Sequence, residues 1–177
     1  MVKKESGFSL VETLIAMGIL ATGLLSLAAV FAMGLNQLRG SSASLIAREK
    51  AREAVESVHT ARDTRVITWA QIRNTGNGGV FLTGAQPLRL AGNDGLVGTA
   101  DDGDIETSLA PGDDNILGTD DDITTQLDTY TRTITISDIV TNGVPNPSLR
   151  RLVVTIGFRV GSSNRTYTLT TFISRIS

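Results

Sequence analysis

The sequence predicts an α+β fold, with one long N-terminal helix packed on a C-terminal antiparallel sheet of three or four strands. Three observations carry this reading. A run of 23 uncharged residues, Thr13 to Leu35, leads into sequence rich in Ala, Arg, Glu and Lys as far as Arg62. The C-terminal part alternates with period two, with Leu152, Val154, Ile156, Phe158 and Val160 on one face and Arg151, Thr155 and Arg159 on the other. Between these regions, residues 92–128 hold eleven acids and no Lys or Arg.

The helix is read from about Phe8 to Asp63. Its hydrophobic half covers 8–38 and its amphipathic half 39–63, with Arg39-Gly40-Ser41-Ser42 as a flexible join. At 1.5 Å per residue the uncharged run rises about 35 Å, enough for one tilted crossing of a hydrocarbon core about 30 Å thick. Lys3 and Lys4 precede it, so the positive-inside rule keeps residues 1–7 cytoplasmic and the C-terminal domain outside. Gly18, Gly23 and Gly34 are read as tolerated membrane glycines, with close helix contacts as the alternative.

Glu12 stands at the mouth of the apolar run. A carboxylate at a bilayer centre costs roughly 2.5–3.5 kcal/mol on insertion scales, and less near the end of a span, so this acid invites a functional reading. An ordinary secretory signal cut near Val30-Phe31-Ala32 is the bland alternative, but such an apolar region is shorter and carries no acid. A plain signal anchor leaves the Gly7-Phe8-Glu12 spacing to coincidence.

In the amphipathic half, Ala47, Ala51, Ala54, Val55, Val58 and Ala61 recur at spacings of three and four, forming one narrow apolar face. Arg52–Glu56, Glu49–Arg52 and Lys50–Glu53 are candidate ion pairs along the helix. His59 is read as solvent-facing, and Trp69 as a core plug where helix meets sheet. Tyr130 to Ile136 forms one strand, Pro145 and Pro147 mark a loop, and Arg150 to Val160 forms the long strand. Gly161-Ser162-Ser163-Asn164 turns into Thr166–Ile176, while Val80–Leu82 and Leu88–Leu90 are weaker strands.

The acidic segment, 92–122, contains a duplication. Gly92-Asn93-Asp94-Gly95-Leu96-Val97-Gly98-Thr99-Ala100-Asp101-Asp102 returns as Gly112-Asp113-Asp114-Asn115-Ile116-Leu117-Gly118-Thr119-Asp120-Asp121-Asp122, identical at six of eleven positions. Aspartates interleaved with glycine suit a hard cation bound by 6–8 oxygens, which makes calcium the candidate cofactor. Asp94, Asp101, Asp102, Asp104, Asp113, Asp114, Asp120, Asp121 and Asp122 are the candidate ligands, and Glu106 continues the alternation begun by Asp102 and Asp104. The helix-loop-helix calcium pattern cannot be placed on either copy. The alternative is a solvated, self-repelling loop without metal. The aliphatic pairs before Gly98 and Gly118 predict that each copy tucks one apolar step under the sheet.

Composition narrows the function classes. The net charge of −2 hides a segregation, because the 140 residues outside 92–128 carry sixteen bases and seven acids, a balance of +9. With no cysteine there is no disulfide framework and no thiolate metal site. No phosphate loop, nucleophile elbow or histidine–serine pairing is present, and acids among Asp and Gly neighbours stay solvated with nothing to raise a pKa. The chain is therefore read as no enzyme. Arg150, Arg151, Arg159, Arg165 and Arg175 could form a phosphate-binding patch, but ordinary strand-face arginines explain them equally, and no nucleic-acid partner is expected.

The start of the chain, Lys3-Lys4-Glu5-Ser6-Gly7-Phe8-Ser9-Leu10-Val11-Glu12, resembles the type IV prepilin signal. Ile19-Leu20-Ala21-Thr22-Gly23-Leu24-Leu25-Ser26-Leu27-Ala28 looks most like minor pilins of the PilV, or pilus modification, type. The resemblance covers about residues 1–65. It implies cleavage between Gly7 and Phe8 by a prepilin peptidase, methylation of Phe8, and Glu12 as the assembly residue that pairs with a neighbouring subunit's N-terminus. It further implies an inner-membrane protein with a pilin-like fold that joins other pilin subunits in a pilus. The chain departs from many pilins in lacking both a C-terminal disulfide and a proline before Pro87. A type II secretion pseudopilin and a membrane-tethered calcium-dependent adhesion module are the alternatives.

Overall fold

The structure, a computed structural model, describes residue 7 and residues 9–175, without the side chains of Asn36 and Arg39. Helix α1 spans Leu10–Asp63, and short 3-10 turns follow at Trp69–Gln71 and Thr75–Asn77. The strands are β1 (Gln86–Pro87), β2 (Thr107–Ala110), β3 (Ile123–Gln126), β4 (Thr131–Thr141), β5 (Val144–Val160) and β6 (Ser163–Ser174). The chain forms two compact units, 1–41 and 42–177. The expected join at residues 39–42 is helical throughout.

In the first unit the helix is apolar all round and exposed, with Leu14 60% and Leu20 64% accessible. Its hydroxyls bond inward: Thr22 Oγ1 donates to the Gly18 and Ile19 carbonyls at 3.1 and 2.9 Å, and Ser26 Oγ to the Thr22 carbonyl at 2.8 Å. No polar side-chain group of either residue is left needing water, which suits an apolar surrounding. This helix is long and apolar enough to cross a membrane.

In the second unit a mixed α/β core forms. Ala47, Ala51, Ala54, Val58 and Ala61, the predicted face, are buried together with Leu152, Val154, Ile156 and Phe158 of β5 and Ile134 and Ile136 of β4. Small alanines let the helix backbone approach the sheet, whose branched residues supply the volume. The order is β1-β4-β5-β6, with every pairing antiparallel. Strands β2 and β3 form a separate two-stranded hairpin.

Several boundaries differ from the expectation. Pro145 and Pro147 lie inside β5, not in a loop. Strand β6 pairs with β5 only from Leu149 onward, so at the prolines β5 has β4 on one side and no strand on the other. A residue without an N–H is tolerated at such an edge. The turn is instead Asn142-Gly143, with φ of 52° and 79°, the left-handed pair that a tight two-residue hairpin requires. The turn into β6 is shorter than the four residues expected, and β6 starts at Ser163; Ile176, the expected end of that strand, lies outside the described residues. Val80–Leu82 and Leu88–Leu90 form no regular strands and contribute only isolated bridges, Asn74 with Phe81 and Arg89 with Ile105.

Beside β4 the buried Asn74 substitutes for a strand. Its Nδ2 donates to the Ile134 carbonyl at 2.7 Å, and its Oδ1 accepts from the Ile136 amide at 2.9 Å. Trp69 is half-buried. Its Nε1 donates to the Pro147 carbonyl at 2.9 Å, and the Arg150 guanidinium stacks 4.3 Å from its ring centre. Arg150 is itself buried and contacts Asp138, so it contributes nothing to an exposed basic patch. His59 is partly buried, and burial followed by the charge of Arg62 pushes its pKa down.

Candidate functional site

Three places hold the residues singled out from the sequence. The first is the N-terminus of α1. Ser9 precedes the first helical residue, and its Oγ accepts a hydrogen bond from the Glu12 amide at 3.2 Å. Ser9 and Glu12 therefore occupy the N-cap and third helical positions of a Ser-x-x-Glu start, where an acid also faces the positive end of the helix dipole. Glu12 is the one acid in the first turn and is exposed. Gly7 is exposed and outside the helix, whereas Phe8, the expected cleavage and methylation residue, lies outside the described residues, as do residues 1–6.

Residues 2–28 match the prokaryotic N-terminal methylation motif. The chain thus carries a prepilin-type methylation motif that runs into the exposed apolar helix. No curated protein and no solved structure matches the chain. The matched range takes in Glu12 and the first part of the apolar run, and leaves the residues beyond 28 unmatched.

The second place is the acidic repeat, whose two copies share one backbone design. Asp94 Oδ1 accepts from the Leu96 amide, and Asp114 Oδ1 from the Ile116 amide, each at 2.8 Å. Asp102 Oδ2 caps the Gly98 amide at 2.7 Å, and Asp122 Oδ2 caps that of Gly118 at 2.6 Å. The Thr99 and Thr119 hydroxyls donate to Asp101 and Asp121 at 2.8 and 2.7 Å. These bonds hold both Asp101 and Asp121 below the usual carboxylate range. Gly92 and Gly112 are required because a Cβ would lie 2.3 Å from the Asp101 or Asp121 carboxylate.

The copies differ in what covers them. Leu96 and Val97 are buried at 0% and 1%, as expected, whereas Ile116 and Leu117 are 59% and 60% exposed. The prediction that both copies tuck under the sheet holds for the first alone. The second copy sits at the tip of the β2–β3 hairpin. Asp104, Asp113 and Asp120 are exposed. Among the described residues no group of three or more His, Cys, Asp or Glu side chains converges as a metal cage. Asp94, Asp101, Asp102, Asp114, Asp121 and Asp122 instead accept from backbone N–H groups and threonine hydroxyls. One oxygen, Asp122 Oδ1, is buried without a hydrogen-bond partner.

The third place was not foreseen. Glu106, which looks in sequence like one more acid of the cluster, is 1% exposed. Its carboxylate is clamped between Lys50 of α1, at 2.6 Å, and Arg132 of β4. Lys50 also reaches Glu53 at 2.7 Å. Of the three ion pairs expected along the helix, this last one forms among the described residues; Arg52–Glu56 and Glu49–Arg52 do not. Tyr130, Arg132, Ile134 and Ile136 share the inward face by period two, so the signal for Arg132 was its place in that alternation.

Proposed function

We propose that this chain is a minor pilin of a type IV pilus. It is inserted in the inner membrane with its C-terminal domain outside, cut between Gly7 and Phe8 by a prepilin peptidase, methylated at Phe8, and built into the fibre beside other pilins. The observation that carries the reading is the methylation motif of residues 2–28 running into an exposed apolar helix that ends in an α+β domain. The new amine at Phe8 would stand one helical turn from Glu12. A charge in an apolar bundle is tolerated when paired and strongly destabilising when not, so Glu12 sets the register of packing in the fibre and performs no chemistry.

Mass spectrometry of the mature N-terminus tests this. N-methyl-Phe at position 8 is expected; an intact Met1, or a cut after Ala32, overturns the reading. Glu12→Ala should still be cut but fail to enter fibres. A type II secretion pseudopilin would show the same N-terminus and would differ in the fibre it joins.

Calcium binding by the repeat is a separate proposal, supported by the acid-and-glycine composition of both loops and by the unpartnered Asp122 Oδ1. A cation would have to draw Asp101, Asp102, Asp121 and Asp122 away from donors they already hold. The affinity expected is therefore in the weak range of about 10⁻⁴–10⁻³ M. Calorimetric titration of the detergent-solubilised chain with calcium reads it, and the absence of both heat and thermal shift retires it. A membrane-tethered, calcium-dependent adhesion module would show binding together with an unprocessed N-terminus.

A further inference from the structure

One loop design occurs twice in this chain, once seated and once bare. In the first copy the aliphatic step Leu96–Val97 is wholly buried in the core. In the second, the same turn, held by the same aspartate caps, presents Ile116–Leu117 to solvent. It projects from a two-stranded hairpin whose Leu109 and Ile123 are also exposed, at 51% and 58%. A lone two-stranded ribbon is marginal in water; Leu109 and Ile123 are exposed on its opposite faces, and the Ile116–Leu117 step at its tip is without cover. Asp113, Asp114, Asp120 and Asp121 surround the step, so its complement is an apolar floor with a basic rim.

The chain has such a surface. At the C-terminal end of α1, an open cleft of about 700 Å³ is lined by Arg62, Asp63, Arg65, Ile67, Trp69, Ser148 and Arg175, among others, a rim of three bases against one acid. Arg62 is engaged by Asp63 at 2.7 Å and by the Ser174 carbonyl at 3.1 Å. Arg65 and Arg175 are exposed and have no ion pair among the described residues. Buried Ile67 and half-buried Trp69 supply the apolar floor.

We propose that the Ile116–Leu117 step of one molecule docks into the Arg62–Arg65–Arg175 cleft of a second copy of this chain. Aspartates at the rim of the loop then meet guanidiniums at the rim of the cleft, and the aliphatic step covers its floor. Because the two surfaces are different patches of one chain, the contact between two copies is head-to-tail. Opposite charge at the rim fixes the direction of docking.

The chain has no cysteine, so an introduced pair reports the contact cleanly. Two differently tagged full-length copies, one with Ser148→Cys and one with Leu117→Cys, are co-expressed, solubilised in mild detergent and exposed to copper-phenanthroline in air. A disulfide-linked dimer carrying both tags is expected. It should fall to background when the Ser148→Cys copy also carries Arg65→Glu and Arg175→Glu. It should return when the Leu117→Cys copy adds Asp113→Lys and Asp120→Lys. No mixed dimer from copies that melt like the parent overturns the proposal. So does a dimer indifferent to charge reversal, or a disulfide that closes within a single chain bearing both cysteines.

Discussion

The Glu106 Oε2 atom lies 2.6 Å from Lys50 Nζ, so the base of the acidic segment is tied directly to helix α1. The contact is an ion pair without an aligned hydrogen bond, and Arg132 holds the other oxygen. Removing one member of a buried charge cluster strands the others. Glu106→Ala should lower the unfolding free energy by about 3–5 kcal/mol, read by denaturant unfolding of the solubilised chain. A loss below 1 kcal/mol would show that Lys50 and Arg132 find water instead.

The same cluster predicts an alkaline limit. Burial alone would depress the Lys50 pKa, but the close carboxylates of Glu106 and Glu53, the latter hydrogen-bonded, together raise it above its ordinary value of 10.5. A raised pKa in the folded state gives stability that is complete below the unfolded value and lost as pH climbs through the folded one. The melting temperature should thus fall more steeply above pH 10.5 in the parent than in Glu106→Gln. Parallel curves would remove Lys50 from the account.

At acid pH the sign reverses. Asp101 and Asp121 are held low chiefly by the Thr99 and Thr119 hydroxyls, so their contribution is present above the unfolded value of 3.8 and lost as pH falls through the lower folded one. The Thr99 and Thr119 side-chain resonances, whose hydroxyls donate to these two carboxylates, should move in that window by similar amounts. One moving without the other would break the equivalence of the two loops.

The paired glycines separate backbone strain from packing. Gly98 and Gly118 have φ of 80° and 92°, but only at Gly98 would a Cβ meet a neighbour, Ile134 Cδ1, at 2.8 Å. Each change to Ala should cost more than about 1 kcal/mol from the left-handed backbone. Gly98→Ala should cost measurably more than Gly118→Ala in the same denaturant series. Equal losses would mean that Ile134 yields without penalty.

Asn74 offers a test of the edge of β4. Asn74→Ala leaves the Ile134 carbonyl and the Ile136 amide without their partner, at about 1–3 kcal/mol for each orphaned group. Hydrogen exchange at Ile136 should accelerate along with the loss of stability. Unchanged exchange there would assign its protection to β5 alone.

The helix face and the strand alternation were legible because each is a local period: Ala47 to Ala61 every three or four residues, and Leu152 to Val160 every two. Pro145 and Pro147 misled because proline forbids a strand only where its missing N–H has a neighbour to serve, and β6 stops short of them. The pairing of Asn142 with Gly143 was the better signal for that turn. Glu106 was hidden by composition. Its partners, Lys50 and Arg132, lie 56 and 26 positions away, beyond any local pattern. The exposure of Ile116 and Leu117 was equally unreadable, since sequence shows that a loop is repeated and not which copy finds a seat. At the N-terminus the spacing of Gly7, Phe8 and Glu12 was legible as a motif, and the described structure adds the Ser9 cap.

Strands β4 to β6, joined by tight turns, supply much of the cover for the apolar stripe of α1, and they lie far downstream of it. A polypeptide emerging head first exposes Ala47, Ala51, Ala54 and Val58 long before Ile173, buried at 0%, can close over the core. Short connections then let the three strands zip in sequence once they appear, which favours quick closure. Ending the chain ahead of Ile173 should therefore harm maturation far more than the distance of β6 from the anchor suggests, because the core cannot close until that strand has emerged.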